Sequence, residues 1–283
     1  MPIAHNFTAS PPNRLGFFSP QTAAVNFCEI DYAATPYVAE FINALTNFAY
    51  IYLSTATLAP GASSWNILSW PLANISLLFV GIGSFAYHAT LKHSAQMADE
   101  LSMYAIITTM NYRVYTHKLF TSPLAKRTVG LTLILATAVV GCSNITSADG
   151  ASTHLHLALF VTLLTTFWPR ALFLIHHDNS CFSREDATTS PSANVNQSRA
   201  YQDATRHRHL SSFRLASFSF VLGFIFWLID GLCCEQLRTM RAKVGLPFAW
   251  LLEFHGAWHI LTAVGAGMFV RLVAELTRDG GDG

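Results

Sequence analysis

His255 and His259 lie four residues apart in LLEFHGAWHILTAVG. On a helix that spacing stacks two imidazoles on one face, about 6 Å apart, close enough to share a metal ion. Two buried histidines satisfied by hydrogen bonds would show the same spacing, so the pair needs company. His88 supplies a third imidazole in GIGSFAYHATL, with Ser84 one turn earlier, and Asp99 follows in MADELSMY. Each has a plainer reading. Ser84 is then a back-bonded helix hydroxyl, and Asp99 and Glu100 are first-turn acids favoured by the helix dipole, which suits Glu100 better than Asp99. Together they make a different chemistry. Three neutral imidazoles with an open fourth position are the donor set of a catalytic zinc. Zinc lowers the pKa of its water towards 7 and polarises an acyl oxygen. A carboxylate nearby takes the proton, and a hydroxyl steadies the oxyanion.

A second group sits in NFCEIDYAATPYVAEF, where Asn26, Glu29, Asp31 and Glu40 offer four hard oxygen ligands within fifteen positions. Such a set suits Ca²⁺ better than zinc. A solvated acidic cap on the following helix accounts for the same spacing. The five cysteines are scattered and form no CxxC pair, which argues against a thiolate zinc site or a disulfide-built scaffold.

The elements that must position these groups are membrane helices. Of 283 residues, 52% are hydrophobic and only 12% charged, about half the ionic content of a soluble domain. The net charge of +1 and the lack of basic tracts exclude a nucleic-acid partner. No Asp, Glu, Lys or Arg occurs between Glu40 and Lys92, a stretch broken at Pro60-Gly61-Ala62-Ser63-Ser64. With about 20 apolar residues needed per span, seven are predicted: 38–58, 67–91, 96–116, 127–146, 152–175 with a kink at Pro169, 213–234, and 247–274 opening at Pro247. Residues 178–209 read as a polar inter-span loop rich in Ser, Thr and Asn. The opening MPIAHNFTASPPNRLGFF lacks the basic start and apolar core of a cleavable signal, so the first span is expected to direct its own insertion. The expected layout is an N-terminal lumenal segment 1–37, a membrane domain 38–275 and a cytosolic tail 276–283.

Lys and Arg number five on the N-terminal side and ten on the other, which puts the N-terminus out and the C-terminus in the cytosol. With that topology the end of the second span and the starts of the third and seventh share one membrane face. His88, Asp99, His255 and His259 then meet at one depth. Ionisable groups inside spans cost about 2.5–3.5 kcal/mol each on insertion scales, so those that persist usually line a working cavity. The fold expected is an all-α, seven-transmembrane helix bundle with an intramembrane metal site. The other histidine pairs (His154/His156, His176/His177, His207/His209) fall in loops or near span ends and are not expected to be ligands.

Four blocks in order, NFCEIDY…AEFINALTN, GIGSFAYHATL…MADEL, WLIDGLCCEQLR and FHGAWHILT, resemble the alkaline ceramidase family from Asn26 to about Val270. The resemblance implies an enzyme that hydrolyses the N-acyl amide of ceramide, dihydro- and phytoceramide included, to a sphingoid base and a fatty acid. It implies Zn²⁺ on His88, His255 and His259, with Asp99 activating the zinc-bound water and Ser84 stabilising the oxyanion. It implies Ca²⁺ on Asn26, Glu29, Asp31 and Glu40, with Phe27 contributing its carbonyl. The family's DWCExN pattern is altered here: Asn26 replaces Asp, Asp31 replaces Asn and Phe27 replaces Trp, which keeps the carboxylate count. Cys28 and Cys234 match family positions that pair, and both lie on the lumenal side. Asp230 and Arg238 flank the sixth-span end as a structural ion pair. An endoplasmic reticulum or Golgi membrane, a lipid substrate and no obligate protein partner are the matching expectations. The competing class is a seven-helix receptor of the adiponectin/progestin type, which also carries three histidines on zinc; the acidic block before the first span favours the ceramidase side. A transporter would show inverted repeats, and none is evident.

Overall fold

A computed structural model describes residues 15–58, 66–120, 122–146, 150–177 and 193–278. The Pro60–Ser64 turn, residues 178–192 of the polar segment and 279–283 of the tail lie outside them. After a non-helical segment 15–40, the regular elements among the described residues are all helices, with no strand: α1 (Phe41–Thr46), α2 (Phe48–Ala56), α3 (Leu72–Thr90), α4 (His93–Thr116), α5 (Pro123–Thr146), α6 (Gly150–His177), α7 (Ala193–Leu232), α8 (Cys234–Val244) and α9 (Phe254–Leu276). Among them α3, α9 and parts of α5, α6 and α7 are long and apolar enough to cross a membrane.

The two remaining predicted spans depart from that standard for physical reasons. α4 has 24 residues, enough to cross the hydrocarbon core, but Asp99, Glu100 and Arg113 lower its hydropathy. Residues 38–58 form α1 and α2, joined at Asn47, whose backbone stays helical (φ −68°, ψ −16°). The Asn47 N–H bonds to the Ala44 carbonyl, a three-residue tightening of one nearly continuous rod.

The sixth helix needs the largest correction. A loop was expected to Arg208-His209, but residues 193–209 are helical and α7 runs 40 residues. Ala193, Ala200, Ala204 and the Gln and Arg residues around them are good helix formers. Extending an existing helix avoids the nucleation cost that an isolated polar segment would face. His209 and the half-buried Leu210 also give this extension something to pack, His209 bonding Glu275 of α9 at 3.1 Å. Past α7, the amphipathic α8 was not foreseen. The last helix opens at Phe254, because Pro247 begins a separate 3₁₀ turn, Phe248–Leu252.

α9 packs along α7, and α3 along α4, with α1 and α2 against both α3 and α9. Leu77, Val114, Phe167, Ala263, Val270 and Leu272 form the centre of this packing. Two glycines set the spacing. A Cβ on Gly83 would lie 3.0 Å from the Ala98–Asp99 backbone, and one on Gly81 would lie 2.7 Å from Ile51. The GIG run thus lets α3 press against α4 on one side and α2 on the other.

Candidate metal centre

His88, His255 and His259 converge. Their potential ligand atoms lie within 4.8 Å of one another, and no other such group of three occurs among the described residues. Ring centroids are 5.0 Å (His88–His255), 4.7 Å (His88–His259) and 4.5 Å (His255–His259) apart. All three side chains are buried. His88 arrives from the end of α3, while His255 and His259 come from the first two turns of α9.

The free nitrogens argue for a metal. His88 Nδ1 bonds the Glu40 carboxylate, which leaves Nε2 buried with no hydrogen-bond partner. His255 Nδ1 is buried and likewise unpartnered. Orphaned imidazole nitrogens are costly inside a protein unless something accepts their lone pairs. Three neutral imidazoles therefore fit a borderline-soft divalent ion such as zinc. The carboxylate behind His88 matches the outer-sphere partner that orients a ligating histidine.

Ser84 sits one turn before His88 on α3, buried, with its hydroxyl facing the Asp99 carboxyl of α4. Asp99 is half-buried. The close approach permitted by Gly83, where a Cβ would lie 3.0 Å from the Ala98–Asp99 backbone, brings the two side chains to the same place. The structure thus places the predicted carboxylate and hydroxyl together, one helical turn from a histidine of the triad.

The acidic block is linked by hydrogen bonds beside the histidines, without its carboxylates converging as the imidazoles do. Asn26 Nδ2 donates to Asp31 Oδ2 (3.0 Å) and to Gln21 Oε1 (3.1 Å). The Phe27 N–H reaches both Asn26 Oδ1 (2.8 Å) and Glu40 Oε1 (3.0 Å). Glu29 accepts the backbone N–H groups of Ile42 and Asn43, each at 2.8 Å, so it caps the N-terminus of α1. Burial, and next the charge of Glu40, push the Glu29 carboxyl up to about 8.

Sequence reasoning missed two roles here. Phe27 does more than offer a backbone group: its ring stacks on His255 with centroids 3.6 Å apart. Glu40 is shared, one oxygen on the Phe27 N–H and the other on His88. The signal for Glu40 was available, because it lies one turn before Asn43 and Ala44 on a helix that must face α3.

The site is fastened from outside. Cys28 and Cys234 form a disulfide with Cα atoms 5.3 Å apart, tying the N-terminal segment to α8. Asp230 accepts the N–H of Cys28 (3.2 Å) and of His255 (3.4 Å), and it pairs with Arg241 at 3.7 Å. Arg241 also pairs with Glu253 at 2.8 Å and donates to the Leu252 and Cys28 carbonyls. Arg238, the expected partner of Asp230, donates Nε to the Cys28 carbonyl at 3.0 Å.

Comparison with known proteins agrees with this geometry. The family model "Ceramidase" matches residues 19–279. The chain is 24% identical over 260 residues to alkaline ceramidase 3 of Mus musculus, covering 91% of this chain and 85% of that protein. It is 27% identical over 268 residues to alkaline ceramidase YPC1 of Saccharomyces cerevisiae, covering 90% and 77%. A shorter match, 34% over 100 residues, links it to an alkaline ceramidase of Arabidopsis thaliana, over 35% of this chain and 39% of that protein. With a family model spanning nearly the whole chain and a histidine triad beside a carboxylate, this protein belongs to the ceramidase family.

Proposed function

We propose that this chain is a zinc-dependent amidohydrolase that cleaves the N-acyl amide of ceramide to a sphingoid base and a free fatty acid. The observation that carries it is the buried three-histidine cluster with the Ser84–Asp99 pair one turn away, in a chain of this family. His88, His255 and His259 hold the zinc, which when bound supplies Lewis acidity to the acyl oxygen and acidity to a water. Asp99 takes the proton from the attacking water as its oxygen bonds the acyl carbon, then gives it to the departing amine as the C–N bond breaks. Ser84 has one hydroxyl proton, and Asp99 holds it while ionised. Once Asp99 is protonated it becomes a donor, which frees the Ser84 proton for the developing oxyanion.

The bundle is read as seven spans with the metal centre at the lumenal end of the membrane, in an endoplasmic reticulum or Golgi membrane. Asn26, Glu29, Asp31 and Glu40, with the Phe27 carbonyl, bind Ca²⁺ beside it; the hard oxygens that hydrogen bonds hold together in this segment support this. The test is release of fatty acid from ceramide by purified protein in detergent. Activity should vanish with a chelator, return with zinc, and be absent from His259→Ala. A His259→Ala protein that stays folded and fully active would overturn the metal assignment. A receptor with the same triad would bind zinc yet release no fatty acid.

A further inference from the structure

We infer that Thr46 is a positioning residue for the metal centre: its hydroxyl fixes the tautomer and orientation of His259. The inference rests on the zinc reading above and adds a residue to it. Thr46 Oγ1 lies 3.0 Å from His259 Nδ1, and 3.0 Å from each of the Ile42 and Asn43 carbonyl oxygens. The hydroxyl has one proton, and backbone carbonyls can only accept. When that proton goes to the carbonyls, the Thr46 oxygen is left as an acceptor, and His259 Nδ1 must carry the hydrogen. A neutral imidazole protonated at Nδ1 has its lone pair at Nε2, the nitrogen left to bind metal. The opposite arrangement, Thr46 donating to Nδ1, would put the hydrogen on Nε2 and block the site. A helix turn therefore selects the metal-competent tautomer.

The three histidines are held in three ways. His88 has a carboxylate at Nδ1, His255 has a stacked Phe27 ring, and His259 has a hydroxyl. Thr46 reaches its histidine because α9 carries Gly256 opposite it: a Cβ there would sit 3.2 Å from Thr46 Cγ2 and 3.2 Å from Ile42 Cγ2. Neither residue contains a metal-binding atom of the usual kind, so neither stands out in the sequence.

The experiment compares zinc affinity, measured by competition with a chromophoric chelator, in the wild type, Thr46→Val and Thr46→Ser. Loss of an outer-sphere partner of a metal ligand costs about 10–100-fold in affinity. Thr46→Val should weaken zinc binding by that factor, and Thr46→Ser, which keeps the hydroxyl, should restore it. Equal affinity in all three, with stoichiometric zinc in the wild type, would overturn the Thr46 role while leaving the metal centre standing. A wild type that takes up no zinc would fail the underlying reading instead. If Thr46→Val does not fold, the ¹⁵N imidazole spectrum of the zinc-loaded wild type decides. A His259 protonated at Nδ1 supports the proposal, and one protonated at Nε2 refutes it.

Discussion

Replacing Arg241 with Met should unfasten the mouth of the site without touching its chemistry. Arg241 is buried and bonds five ways: to Glu253 at 2.8 Å, to Asp230 at 3.7 Å, to the Leu252 carbonyl through Nε and Nη2 at 3.2 and 2.9 Å, and to the Cys28 carbonyl at 3.0 Å. Met keeps much of the volume but takes from the buried Asp230 and the half-buried Glu253 their closest cation, with only Arg238 left nearby. Breaking a buried pair by removing one partner costs about 3–5 kcal/mol. At about 2–4 °C per kcal/mol for a chain of this size, the Tm should fall by about 6–20 °C. Differential scanning fluorimetry of the detergent-solubilised protein, at one scan rate for all variants, is the assay. The double variant Arg241→Met/Glu253→Gln should recover part of the loss, because it removes one of the stranded charges. Arg241→Lys should fall between, since an ammonium cannot reproduce the planar set of bonds. An Arg241→Met Tm within about 2 °C of the parent would refute the reasoning, because even half the lower cost should shift it further.

Further outcomes follow from the same geometry. Asp99→Asn should keep its zinc by metal analysis and lose about 10²–10⁴-fold in kcat, the contribution of a positioned general base; an unchanged kcat would remove that role. Ser84→Ala should cost about 10²–10³-fold in kcat with little change in KM, as for other oxyanion donors; a change confined to KM would reassign Ser84 to substrate binding. The Glu29 carboxyl, raised to about 8, implies a folded state that binds its proton more tightly than the unfolded chain. The stability it contributes is full below about 4.5 and is lost as pH rises through about 8. Added Ca²⁺ should therefore raise Tm more at pH 8.5 than at pH 6, and Glu29→Gln should flatten that difference; an equal Ca²⁺ shift at both pH values contradicts the cation site. Breaking the Cys28–Cys234 link with Cys28→Ser should cost about 2–5 kcal/mol, seen as a lower Tm; a Tm equal to the parent's would mean the two segments hold together without it.

The parts of this fold legible in the sequence are those with a strong hydropathy signal. The apolar runs that became α3, α5, α6 and α9 are recognisable by length alone, and His88, His255 and His259 stand out because lipid penalises them. What was hidden depends on partners remote in sequence. Glu29 reads equally as a cation ligand or as a solvated cap, and its buried pairing with the Ile42 and Asn43 N–H groups of α1 is what spacing alone did not select. The polar start of α7 reads as a loop because its stabilising contacts, such as His209 with Glu275, come from 66 positions away. Asp230 was matched with Arg238, one turn past the disulfide; Arg238 does attract it, and Arg241, three residues further on the same helix, joins it as an ion pair at 3.7 Å. Spacing alone does not choose between successive turns of an amphipathic helix.

Glu40 joins what the sequence presented as two separate sites. It is fully buried, and its two oxygens point two ways: one to the Phe27 N–H of the acidic block, the other to His88 Nδ1. A buried carboxylate bonded to a ligating imidazole raises the basicity of that imidazole, and the effect grows as the carboxylate's charge is left unshared. A cation drawn to Asn26, Asp31 and Glu40 would take part of that charge while holding the carboxylate in place. Occupancy of the acidic block therefore bears on His88 by two opposing routes, better orientation and weaker basicity. Orientation should dominate. Without a cation, clustered acids repel, and the bond that aims His88 is the one such repulsion disturbs. The Phe27 ring on His255 works in the same sense, since any shift of the N-terminal segment moves a second ligand. On the proposed metal reading, the segment before α1 therefore belongs to the centre, because two of the three histidines are contacted by residues of that segment or of its junction with α1.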